Sequence, residues 1–275
     1  MFQRQTFRIN GSNPARGGGS AAAHRFHDKG GGAEALPYTP AERAVRTADW
    51  LVDRFVDIVF ILLLLIGLYF MYDSVYVFYN SRAAAVAPYR PENGDIAGLQ
   101  QIAEDAVAWI TLDDTYIDYP IMQGEDNREY LNKNAFGEYS LAGAIFMDSN
   151  NAKDFSDDYT VVYGHHMSGQ YMFGALDAFA DRTYFDKHRT GTLITERGEF
   201  PITVIAFFQT DASNSMVFNI YEDHSAMLSY LEQNADHYAE GGHREDGTAK
   251  RIVGLTTCKS PTTTKRTAVF VAIEE

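Results

Sequence analysis

Apolar and polar positions divide the chain into three stretches. Up to about Pro40 no hydrophobic period is sustained, and segments such as GGGS and KGGGAEA read as a disordered tail. From Thr39 the run TPAERAVRTADWLVDRFVD has helical character, with Thr39 as N-cap and Pro40 at the first helical position. It leads into IVFILLLLIGLYFM, residues 58–71, 14 apolar positions without interruption. A membrane span takes roughly 20 residues, and the flanks supply them: only Asp57 and Asp73 are acidic between Phe55 and Tyr79. The pattern predicts a transmembrane helix over 55–79, with the tyrosines from Tyr69 to Tyr79 as an aromatic belt. The competing reading is a buried core helix. A cleaved signal peptide fits poorly, because the apolar run starts far from Met1.

Beyond a linker over 80–94 the period changes. DIAGLQQIAEDAVAW (95–109) places Ile96, Leu99, Ile102, Ala103 and Ala106 at helical spacing and predicts an amphipathic helix. Eight short runs rich in β-branched and aromatic residues follow, at 109–112, 115–123, 142–148, 159–164, 192–195, 200–209, 251–257 and 266–273. Eight strands separated by polar turns suit a closed or nearly closed barrel. Two helical inserts are predicted between them, QYMFGALDAFA (170–180) and the longer YEDHSAMLSYLEQNADHYA (221–239).

Charge adds an orientation. The chain of 275 residues carries a net charge of −14, which opposes a nucleic-acid partner. Residues 1–54 nevertheless hold eight Lys/Arg against five Asp/Glu, and Arg43, Arg46 and Arg54 flank the apolar run. The positive-inside rule then puts the N-terminus in the cytoplasm and the acidic bulk outside.

The chain holds one cysteine, Cys258, so neither an intramolecular disulfide nor a multi-cysteine zinc site is available. It follows a predicted strand, at a turn containing Pro261, where reactive groups are commonly displayed; the bland alternative is a small buried hydrophobe. A thiol becomes a nucleophile as thiolate, which requires a proton acceptor or a positive charge nearby. Among eight histidines, His24 and His27 lie in the tail, and His188, His224, His237 and His243 sit in polar contexts. His165, in VVYGHHMSG, opens the loop after a predicted strand, although a solvated loop histidine reads the same locally. Arg266 begins the last strand; its fork of donors suits a carbonyl or a developing oxyanion, or simply faces water.

From about Asp95 to Ile273 the sequence resembles a class B sortase. The matching residues are AWITLDDTYIDYPIMQGEDNREYL, GAIFMD, TVVYGHHM, the FGAL of the next insert, YFDKH, and LTTC followed by Arg266. The YGH and TC…R elements stand in the family's order. The resemblance implies an eight-stranded sortase-type β-barrel over 95–275 with an N-terminal helix (Asp95–Trp109) and a long inserted helix (Tyr221–Ala239). It implies a membrane-anchored cysteine transpeptidase with a cytoplasmic tail over 1–54 and an extracellular catalytic domain.

By the same resemblance Cys258 is the nucleophile that attacks the Thr carbonyl of a sorting signal and forms a thioacyl intermediate. His165 is the proton shuttle, Arg266 holds the carbonyl or the oxyanion, and Thr256 and Thr257 line the substrate groove. The implied partners are surface proteins with a C-terminal sorting signal, a cell-wall precursor or crossbridge amine, and the membrane. No cofactor or metal is implied, and the acids Asp148, Asp154, Asp157 and Asp158 read as a solvated loop. One departure is His166, where many members have asparagine. A cysteine peptidase that hydrolyses its acyl-enzyme would use the same residues. A membrane-tethered binding module with an inert thiol is the non-enzymatic alternative.

Overall fold

The structure, a computed structural model, describes residues 38–92, 96–101, 104–221, 223–257 and 265–275. The tail expected before Pro40 falls almost wholly outside these residues, as do Cys258 and Pro261. Two compact units divide the chain between Phe60 and Ile61.

The first helix, α1, runs Pro40–Asn80. Its start is a capping box: the Glu42 carboxylate accepts from Thr39 N (2.8 Å), and Glu42 N donates to Thr39 Oγ1 (3.4 Å). At 41 residues the helix is roughly 60 Å long, ample for a bilayer. Arg54 and Asp57 pair across one turn at 3.0 Å, which offsets the charge expected at an interface. No residue of α1 is buried, and its apolar run is long enough to cross a membrane.

In the second unit, α2 (Ala83–Val86) and a 3-10 turn (Ala87–Tyr89) lead toward the barrel. Val86 is buried in the barrel's own core. The amphipathic helix expected over 95–109 is corrected: a 3-10 helix occupies Ile96–Gln101, and β1 (Ala106–Leu112) takes the rest. The contiguous apolar AVAW fits a strand buried on both faces as well as a helix, and pairing on both edges of β1 decides between them.

The remaining strands are β2 (Asp118–Met122), β3 (Phe146–Met147), β4 (Tyr159–Gly164), β5 (Thr190–Thr195), β6 (Gly198–Asp211), β7 (His237–Tyr238), β8 (Ile252–Thr257) and β9 (Lys265–Ile273). Their order is β5-β1-β2-β3-β4-β8-β9-β6, and the β5–β6 ladder closes the ring into an eight-stranded barrel. Every one of the eight predicted strands is present. Two-residue β7 is an addition, paired to the outside of β6. β6 serves two neighbours, β5 through Gly198–Thr203 and β9 through Ile202–Asp211, and a register shift between Val204 and Ala206 bends it from one to the other.

Period-two alternation fills two cores. Val253, Leu255, Val269, Val271 and Ile273 face the barrel interior with Trp109, Phe146 and Phe173. Their neighbours Ile252, Ala268, Phe270 and Ala272 join a second cluster with Met227, Leu228 and Leu231 of α5 (His224–Asn234). That insert is shorter than predicted. The Asp223 carboxylate caps its start by accepting from Ala226 N (2.7 Å), and the chain past Asn234 is taken by β7. The insert at 170–180 is a 3-10 helix, Phe173–Ala180, followed by α3 (Arg182–Lys187); α4 (Ser215–Phe218) precedes α5.

Candidate active site

β4 and β8 run parallel, with Tyr163 opposite Thr256 and Gly164 opposite Thr257. β9 returns antiparallel on the other edge of β8, with Thr256 opposite Ala268. The C-terminal ends of β4 and β8 and the N-terminal end of β9 therefore share one rim of the barrel. His165 is the next residue after Gly164, Cys258 the next in sequence after Thr257, and Arg266 the second residue of β9. Cys258 itself lies outside the described residues.

His165 is held at three points. Its Nε2 donates to the Leu131 carbonyl (2.8 Å), its own carbonyl accepts from Phe173 N (3.1 Å), and its ring lies against Gly143. A carbonyl only accepts, so Nε2 carries the hydrogen and Nδ1 is the nitrogen with a lone pair in the neutral ring. Gly143 has φ +61°, and a Cβ there would come within 2.5 Å of Tyr130 O and 2.9 Å of His165 Cδ2. Gly164 is equally constrained, by close approach alone: its Cβ would meet Ile145 Cδ1 at 2.5 Å and the Phe173 ring at 2.7 Å. Both glycines let the histidine sit close over the barrel end.

The loop after His165 is fixed from outside as well. Gln170 and Met172 adopt φ of +65° and +49°, unusual for residues with side chains. Met172 N donates to the Tyr119 hydroxyl (3.1 Å), which donates to the Ser81 carbonyl at the end of α1 (3.2 Å). Tyr171 meets Phe78 edge-on at 4.6 Å and lies beneath the Arg82 guanidinium at 5.5 Å. Burial pushes the Tyr119 hydroxyl up to about 12.

Arg266 is half-buried, with its guanidinium 5.0 Å from the Phe218 ring centre. Its Nε is buried and has no hydrogen-bond partner among the described residues. Thr256 and Thr257 are 1% and 3% exposed. The Thr257 hydroxyl accepts from Thr267 N (3.1 Å), tying β8 to β9 beneath the rim. His166 turns away from its neighbour, and its Nε2 pairs with Asp177 at 2.5 Å. The structure thus gathers the ends that carry His165 and Arg266, while His188, His224 and His237 each bond a backbone carbonyl elsewhere.

Asp148 is not part of a solvated loop. It is buried and accepts from Asn127 Nδ2 (2.7 Å), the Tyr163 hydroxyl (3.1 Å) and Asn150 N (3.0 Å), because β3 carries it under the β4 edge. Sequence reasoning also missed Leu131, Asp177 and Phe218. The Leu131 contribution is a main-chain carbonyl and leaves no trace in residue type. Asp177 had a signal, as the one charged residue in QYMFGALDAFA.

The sortase-domain family model matches residues 110–274, more than half of the chain. Sortase B of Listeria monocytogenes is 28% identical over 186 residues, covering 68% of this chain and 76% of that protein. Sortase B of Staphylococcus aureus is 28% identical over 177 residues, covering 64% and 72%. Among solved structures, a class B sortase of Streptococcus pyogenes involved in pilus biogenesis is 39% identical with a TM-score of 0.57, covering 64% of this chain and 96% of its own. A Staphylococcus aureus sortase B–substrate complex aligns with a TM-score of 0.61 at 25% identity, covering 70% and 90%. With its closed eight-stranded barrel and its helix long enough to span a membrane, the chain belongs to the sortase family, in class B, and is a cysteine transpeptidase.

Proposed function

We propose that this transpeptidase cleaves a C-terminal sorting signal after a threonine and joins the protein to a cell-wall or pilin amine, with Cys258, His165 and Arg266 as its catalytic residues. The observation that carries this reading is the parallel register of β4 and β8, which pairs the two residues immediately preceding His165 and Cys258.

The chemistry follows from the groups. The Cys258 thiol gives its proton to the lone pair of His165 Nδ1; the resulting thiolate attacks the threonine carbonyl carbon, forming a C–S bond, and the carbonyl electrons move to oxygen. Arg266, whose buried Nε has a hydrogen to give, offers its donors to that oxyanion; such a donor is worth about 10²–10³ in rate. Collapse expels the peptide amine, which takes a proton from His165 Nδ1, and leaves a thioester. An acceptor amine then attacks the thioester carbon, gives its proton back to Nδ1, and the C–S bond breaks. Fixing Nε2–H on Leu131 O leaves Nδ1 for these proton transfers, a contribution of about 10²–10⁴. Thr256 and Thr257 belong to the floor of the groove in this reading, since both are buried.

The same proposal divides the chain into a cytoplasmic tail (1–54), a membrane span (55–79), a juxtamembrane segment (80–94) and an extracellular catalytic domain (95–275). The basic excess before the span supports that orientation. The pilus role of the Streptococcus pyogenes protein and the substrate bound to the Staphylococcus aureus protein support acceptor and donor classes of this kind.

The test is incubation with peptides carrying NPQTN, NPxTG or LPxTG motifs, with and without triglycine, followed by mass spectrometry. Cleavage with an amine-joined product, abolished in Cys258→Ala, is expected. Hydrolysis that ignores the amine would contradict transpeptidation of this donor class, and cleavage surviving in Cys258→Ala would contradict the nucleophile.

A further inference from the structure

β4 and β9 are not neighbours in the sheet, because β8 lies between them. Two strand spacings, about 9.6 Å, separate the strand that presents His165 from the strand that carries Arg266, and no ladder hydrogen bond joins the two directly. β8 joins the two at one remove, and a second tie across that gap would hold both groups more closely on one carbonyl.

Asp177 supplies it. It lies on the 3-10 helix Phe173–Ala180, whose Phe173, Leu176 and Phe179 are fully buried and fix the helix against the barrel end. The two carboxylate oxygens diverge. Oδ2 takes His166 Nε2 at 2.5 Å, and Oδ1 accepts from the Thr267 hydroxyl at 3.0 Å. His166 is next in sequence to His165, and Thr267 is next to Arg266. Thr267 N in turn donates to the hydroxyl of Thr257, the residue before Cys258. One carboxylate is thus hydrogen-bonded directly to the neighbours of two proposed catalytic residues, and through Thr267 to the neighbour of the third.

We propose that Asp177 is a positioning residue for transpeptidation, clamping the His165 loop to the Arg266 strand across β8. The inference rests on the roles given above to His165, Cys258 and Arg266. It also gives a role to His166 where asparagine is common in the family: its ring nitrogen reaches the Asp177 carboxylate. In this role Asp177 acts through the residues it holds, His166 and Thr267. Misplacing reacting groups by about 1 Å can cost on the order of 10²-fold in rate, so losing the clamp is expressed in kcat and not in KM.

The test uses the full chain in detergent micelles, with whichever of the NPQTN, NPxTG and LPxTG peptides the wild type turns over fastest and triglycine as acceptor. Asp177→Ala is expected to lower kcat roughly tenfold or more at unchanged KM and melting temperature, and to alter the pH profile of kcat. Asp177→Asn keeps an acceptor for Thr267 and an amide facing His166, and is expected to restore most of the rate. His166→Ala should reproduce the loss, and the double variant should lose little more than either alone, as coupled residues do. Wild-type kcat in Asp177→Ala, alongside an inactive Cys258→Ala, would overturn the clamp and leave the transpeptidase reading intact. A loss of kcat matched by a fall in melting temperature and not restored by Asp177→Asn would also overturn it. Absence of turnover by the wild type would overturn the proposed function and the clamp with it.

Discussion

Two stretches of this chain are almost equally apolar and meet opposite fates. In α1 the run 58–71 is hydrophobic on all sides, and none of its residues is buried among the described residues. In β9 the run TAVFVAI is buried residue by residue, alternately against the barrel interior and against α5. Composition does not distinguish them; periodicity and length do. A helix apolar all round needs lipid or a surrounding protein core, whereas a strand apolar on both faces needs a layer on each side. The barrel and its helical inserts supply two layers for β9, whereas α1 is long and apolar enough for a membrane to supply the equivalent.

A single carboxylate placed in each stretch separates the two cases. Val271→Asp puts a charge into the barrel core and is expected to cost roughly 3–5 kcal/mol, enough to unfold the catalytic domain in a thermal melt. Leu64→Asp, in α1, is expected to weaken membrane insertion by roughly 3 kcal/mol while the barrel melts at its wild-type temperature. Equal loss of melting temperature in both would mean that α1 is a core helix after all.

The joint between the two regions gives smaller effects. The Tyr119 hydroxyl links Ser81 at the end of α1 to Met172 in the His165 loop, and burial raises it to about 12 from an ordinary 10. A raised folded value contributes stability that is fully present below pH 10 and is lost as pH climbs through 12, by roughly 2–3 kcal/mol. Tyr130 and Tyr159 are shifted the same way by burial, so chemical denaturation followed from pH 8 to pH 12 should show a steep alkaline decline. Tyr119→Phe removes the bridging hydroxyl and is expected to cost about 1 kcal/mol, to lower kcat, and to flatten part of that decline. An unchanged alkaline slope in this variant would show that the joint does not titrate.

The fold was legible where hydrophobic periodicity is strong. All eight barrel strands follow from β-branched runs bounded by turns, and Thr39 with Pro40 marks the start of α1. The segment AVAW was ambiguous because an apolar run of four fits either element, and only strand pairing resolves it. β7 is two residues long, too short for a periodic signal, and exists because β6 offers an edge. In the site, His165 and Arg266 were visible as reactive types at strand boundaries. The Leu131 carbonyl that selects the histidine tautomer was invisible, since any residue has one. Asp177 was missed, its one signal in the sequence being a lone charge in an apolar insert; that its oxygens reach two other elements is a tertiary fact. Asp148 read as solvent-facing because acids cluster around it, yet donors from three neighbouring residues hold it inside.

The most direct test is intact-protein mass spectrometry of the enzyme mixed with a cleavable sorting peptide and no amine acceptor. A mass increase equal to the acyl fragment, localised to Cys258, lost in Cys258→Ala, slowed in His165→Ala and discharged on adding triglycine is the expected result. Peptide cleavage with no adduct at any time, unchanged in Cys258→Ala, would contradict the thioacyl route and the roles assigned to this rim of the barrel.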